Sequence, residues 1–109
     1  MMYVKAKDKN DWKVWHYGIL EEPAVVRVDG RPAKVVPRTV CEDTGLMCKG
    51  RAVYENDWLA VEDNDGDIHK FLVAMHEKEY RAYEDEDISY SLVSVLRSER
   101  CRIVGNLYD

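Results

Sequence analysis

Between residues 24 and 36 the chain reads A-V-V-R-V-D-G-R-P-A-K-V-V. Two β-branched runs flank Asp29-Gly30, a dipeptide suited to tight hairpin turns because both central residues need positive φ. The stretch predicts a hairpin. Pro32 has no amide proton to give to a ladder, so the second arm is expected to lie at a sheet edge or to start late. The same logic recurs in D-W-L-A-V-E-D-N-D-G-D-I-H-K-F-L-V-A-M, residues 57–75. There two apolar-rich arms meet at Asn64-Asp65-Gly66, small polar residues of the kind a turn demands, with flanking carboxylates that keep its tip solvated.

Further extended segments are expected at Val4–Ala6, at K-V-W-H-Y-G-I-L from Lys13 to Leu20 with a bend at Gly18, at Val53–Tyr54, and at Glu79–Tyr83. Thr44-Gly45 and Lys49-Gly50-Arg51, with glycines among polar residues, read as a turn or irregular loop. One short helix is expected near residues 89–98, where Leu92, Val95 and Leu96 fall at i, i+3 and i+4 behind a possible cap at Asp87 or Ser89. The fold class that follows is all-β or β-dominated: a small SH3-like or other closed or partly open barrel. Its last strand, Arg102–Leu107, would pair with an earlier one and remove an edge. Val53, Trp58, Leu59, Val61, Leu72, Leu92, Ile103 and Leu107 are the expected core.

A chain of 109 residues suits one domain, here 1–109. Its apolar runs are far shorter than the roughly 20 residues of a bilayer crossing, and M-M-Y-V-K-A-K-D-K-N lacks the apolar middle of a secretory signal. A cytoplasmic protein without a membrane contact is expected. Three cysteines, Cys41, Cys48 and Cys101, form no C-x-x-C pair and are expected as free thiols. Net charge is −5, yet twelve acids against three bases fall within residues 55–87. So acidic a middle repels phosphates and makes nucleic acid an unfavoured partner, although a basic face on the N-terminal half stays open.

Several residues advertise chemistry that their spacing does not support. An EF-hand reading of D-N-D-G-D puts Gly66 sixth, which makes Val61 the first position and Leu72 the twelfth, and neither can ligate calcium. His69 and His76 stand seven apart, on opposite faces of one strand, so they do not pair for zinc. No nucleophile motif surrounds a cysteine, and no G-x-G-x-x-G or P-loop follows a strand. No cofactor, metal or catalytic set is therefore expected. Trp12, Trp15, Tyr17, Tyr54 and Trp58 are read as core before they are read as base-stacking platforms. The E-D-E-D block at 84–87 is a solvated loop or helix-start feature, or else a carboxylate array imitating nucleic acid to occupy a basic partner.

Three pieces taken together resemble the YopX family of phage and prophage proteins. They are T-V-C-E-D-T-G-L-M-C-K-G-R-A-V-Y-E-N-D-W-L-A-V, the closing R-I-V-G-N-L-Y-D, and the weaker early W-H-Y-G-I-L. The matching motif residues are Thr44, Gly45, Leu46, Tyr54, Glu55, Asp57, Gly105, Asn106 and Tyr108. The resemblance implies a small, mostly β scaffold from a mobile element, with those residues in structural roles and no activity or cofactor to carry over. Asn56 stands where the family has glycine, and Asn is the side chain that best tolerates left-handed φ. The functional expectation is a non-enzymatic accessory protein that forms a homo-oligomer and contacts an unknown host or phage protein. The alternatives are a small nucleic-acid-binding barrel and an acidic nucleic-acid mimic.

Overall fold

A computed structural model describes residues 1–109. The fold is mostly β, with two antiparallel sheets and one short helix. Its strands are β1 Tyr3–Lys7, β2 Trp15–Glu22, β3 Val25–Val28, β4 Arg31–Lys34, β5 Cys41–Cys48 and β6 Arg51–Tyr54. They continue with β7 Asp57–Glu62, β8 Ile68–His76, β9 Glu79–Tyr83, β10 Ser89–Ser91 and β11 Cys101–Asn106. The helix α1 is Leu92–Leu96, and a 3-10 turn covers Pro37–Thr39. No helix is long and apolar enough to cross a membrane.

The chain forms two compact units, residues 1–43 with 108–109, and residues 44–107. In the first the strands stand in the order β4-β3-β2-β1-β5. Asp29-Gly30 turns β3 into β4 with φ of 49° and 80°, and Pro32 lies on β4, at the end of the order, as its missing N–H requires. Val4, Ala6, Val26 and Val35 make a small core. Gly18 marks no bend. It sits mid-strand, where an added Cβ would lie 2.1 Å from the Arg27 carbonyl oxygen, so it is the close approach of β3 that requires a glycine.

In the second unit β5 pairs with β6, and a sheet runs β10-β9-β8-β7-β11. The acidic segment 63–67 is a hairpin turn between β7 and β8, with Glu62 opposite Ile68. Its turn is internally bonded: Asp63 Oδ1 accepts from the amides of Asp65 and Asp67, both at 2.9 Å. Val53, Leu59, Phe71, Val73, Ala82 and Leu92 build the core.

Three further expectations need correction. Thr44–Cys48 is strand, not loop; Gly45 takes φ of 78° inside it, and the Thr44 hydroxyl donates to the Val53 carbonyl at 2.7 Å across the kink. The helix keeps only five residues, because Ser89–Ser91 pairs with β9 before it starts. Leu107 is 48% exposed. The cause is a bulge: Ile103 pairs with Leu59 and Gly105 with Trp58, so Val104 is an extra residue and the inward parity shifts from odd to even. Asn106 therefore turns in and Leu107 out. Trp58, Val61, Leu72 and Ile103 are half-buried, while Val53, Leu59 and Leu92 are buried as expected. Strand β11 does pair with an earlier strand, β7, but it stands last in the sheet order, so it forms an edge where one was expected to be removed.

Replacing Gly18 with Ala should cost about 3 kcal/mol, because the clash is with backbone that cannot rotate away. A urea midpoint unchanged from wild type would contradict that close approach.

Candidate functional site

Strands β1 and β2 pair with Lys7 opposite Trp15 and Lys5 opposite Tyr17, so these four side chains share one face. The opposite face of β1 carries Val4 and Ala6 into the core. Between the strands, the loop 8–14 is shaped by two aspartates. Asp8 Oδ2 accepts from the amides of Asn10 and Asp11 at 2.9 and 3.0 Å, and Asp11 Oδ1 accepts from Lys13 at 3.1 Å. This loop presents Trp12, and the 3-10 turn presents Arg38.

The result is a connected set of cations and rings. Lys7 Nζ lies 4.3 Å from the Trp15 ring centre and 5.8 Å from that of Trp12. Lys5 Nζ lies 4.7 Å from Trp15, and the Arg38 guanidinium 5.1 Å from Trp12. Each such contact is worth about 0.5–2 kcal/mol depending on its desolvation. Asp109 closes the set: it accepts from Trp15 Nε1 at 3.0 Å and pairs with Lys7 at 3.8 Å. Lys5 and Lys7 are only 8% and 3% exposed, so the rings roof their ammonium groups, whereas Trp12 is 41% exposed. Trp15, Tyr54 and Trp58 are half-buried, and the expectation that these aromatics fill the core fails for Trp12 and for Tyr17, which is 52% exposed. Lys5, Lys7 and Arg38 went unnoticed in the sequence. The signal was K-A-K on one parity of a strand facing W-x-Y on the next, readable only with the register known.

The family-motif residues fall mostly elsewhere, in the second unit. The turn between β6 and β7 has Asn56 at φ of 68°. Asp57, 1% exposed, accepts from the Tyr54 amide at 2.8 Å and from Asn106 Nδ2 at 3.0 Å. Asn106 Nδ2 also lies 3.5 Å from the Glu55 carbonyl, the Asn56 amide donates to Val73, and the Leu107 amide donates to Asn56. Tyr54, Glu55, Asp57, Gly105 and Asn106 are thus brought together from both ends of the unit. Thr44 and Gly45 brace the kink in β5, Leu46 packs on the core, and Tyr108 belongs to the first unit.

Of the remaining polar groups, His69 lies between two acidic segments. Its Nε2 is 2.8 Å from Asp63 and its Nδ1 3.4 Å from Glu84, whose other oxygen accepts from Tyr90 at 3.4 Å. The two ring nitrogens thus point to different carboxylates, not to one shared ion position. The bond to Asp63 first, and that to Glu84 second, raise the His69 pKa. The His69 bond, followed by the Asp67 amide, lowers that of Asp63. Likewise the bond to His16, 2.8 Å away, lowers Asp8. Burial, with Cys48 alongside, pushes the Cys101 thiol up to about 12, where a thiolate is scarce at neutral pH. Cys48 Sγ donates to the Cys101 carbonyl at 3.4 Å. No group of three or more His, Cys, Asp or Glu is arranged to hold a metal ion.

No family model matches the chain, nor does any curated protein or solved structure.

Asp57→Ala strands the Tyr54 amide and the Asn106 side chain in the interior. It should destabilise the protein by about 3 kcal/mol, and Asp57→Asn by less, in urea unfolding. Equal losses would mean that the space, not the acceptor, matters. For His69, an NMR titration should give a pKa above the roughly 6.5 of a free imidazole, lowered more by Asp63→Asn than by Glu84→Gln. By linkage, the stability gained from the charged ring is complete below about pH 6.5 and fades as pH rises through its elevated native pKa. The gain from Asp63 is present above about pH 3.9 and is lost as pH falls through its lowered native pKa. His69→Gln should flatten the first of these slopes.

Proposed function

We propose that this chain is a phage- or prophage-encoded accessory protein, similar to the YopX family, that performs no catalysis. It acts in the bacterial cytoplasm through protein contacts and as a homo-oligomer. What carries this reading is where the reactive side chains are spent. His69 bridges two loops, His16 holds the Asp8 loop, Asp57 holds a buried turn, and Cys101 is a buried thiol of high pKa. Meanwhile Trp12 and Arg38 stand together at the surface of the cationic and aromatic set. A carboxylate already satisfies Lys7 and Trp15 in that set, which makes an acidic protein surface a fitting partner.

The exposure of Trp12 beside cations also favours a second reading, single-stranded nucleic acid stacked on the ring. Against it, Lys7 and Arg38 already lie over that ring, so a base would have to displace them.

Tagged protein recovered from the host, with and without phage infection, should bring down a discrete protein. Trp12→Ala with Arg38→Ala should reduce its recovery at least about tenfold while leaving the fold intact. Salt-sensitive binding to a single-stranded oligonucleotide, with no protein partner retained, would replace this reading by the second.

A further inference from the structure

Pro37 lines two neighbouring open concavities of opposite charge. The first, of about 450 Å3, has Val25, Val35 and Val36 among its lining and is rimmed by Lys9 and Lys34. The second, of about 390 Å3, has Leu20, Pro23 and Val40 in its lining and is rimmed by Glu21 and Glu22. Both are firmly built. The Lys9 amide donates to the Lys34 carbonyl at 3.0 Å, which sets the two lysines side by side, and the Val35 amide donates to Ala24 at 2.9 Å beneath them. Glu21 is taken up by Arg27 at 2.9 Å. Glu22, Lys9 and Lys34 make no such pair, so each rim keeps an unspent charge.

These hollows are too open to enclose a small molecule as a ligand pocket does. A partner of one sign would be attracted to one half and repelled by the other. A second copy of the same surface, turned by a two-fold axis at the Pro37 ridge, meets neither difficulty. The lysine rim of each copy then faces the glutamate rim of the other, twice over, with apolar lining against apolar lining.

We infer that this face is the two-fold interface of a homodimer, in which Lys9 and Lys34 of each copy face Glu22 of the other across an axis at Pro37. The inference rests on the homo-oligomeric part of the function proposed above and assigns its surface.

Sedimentation equilibrium on the full chain tests it. The wild type should dimerise. Glu22→Lys alone, and Lys9→Glu with Lys34→Glu, should each weaken the dimer at least about tenfold, because the symmetry repeats each like-charge contact. An equimolar mixture of the two variants should restore association, since every altered charge then meets its opposite. Circular dichroism melts should show all variants folded, their substitutions being at exposed positions. A wild type that stays monomeric at high concentration overturns both the interface and the oligomeric reading. An oligomer that ignores both reversals and gains nothing in the mixture overturns this interface and leaves the oligomer standing.

Discussion

The buried carboxylate of Asp57 is the constraint on which the second unit depends. A carboxyl group at 1% exposure is tolerable only with hydrogen-bond partners around it, and it finds them in the Tyr54 amide and the Asn106 side chain. Through those two bonds it closes the β6–β7 turn on itself and ties β11 to β7. Asn56, in the left-handed conformation that the turn imposes, adds backbone bonds to Val73 and Leu107. One four-residue turn thereby fixes the relation of four strands, β6, β7, β8 and β11, and the hydrophobic cluster around Val53, Leu59 and Val73 packs within that frame.

Where the fold was legible in the sequence, the deciding physics was local. Asp29-Gly30 and Asn64-Asp65-Gly66 announce reversals because few residues suit their backbone angles, and both hairpins form where expected. What escaped reading was set by partners distant in the chain. Thr44–Cys48 looks like loop because its glycine and polar residues are usual there, yet pairing with β6 makes it strand around a kink. The inward turn of Asn106 depends on one extra residue opposite β7, which no periodicity in R-I-V-G-N-L reveals. The cationic and aromatic face was hidden for a similar reason: lysines at alternate positions read as solvated until the facing strand is known to roof them with rings.

Charge is distributed on the same principle of mutual engagement. The two densest acidic segments, 63–67 and 84–87, are brought to one end of the second unit's sheet, and the His69 imidazole between them softens a repulsion that would otherwise splay the loops. In the first unit Lys5, Lys7 and Arg38 are gathered against aromatic faces, with the Asp109 carboxylate beside Lys7. The reactive-looking residues of this sequence therefore mostly serve as fasteners.

The bulge at Val104 bears on how this molecule behaves in crowded solution. Strand β11 ends its sheet, and a straight terminal strand offers an unbroken row of amides and carbonyls to any similar row that drifts past. The irregular register between Ile103 and Gly105 interrupts that row midway, and the charged Arg102 is exposed beside it. The strand that completes the sheet is thus a poor template for stacking identical chains into fibres, a safeguard obtained from a single inserted residue.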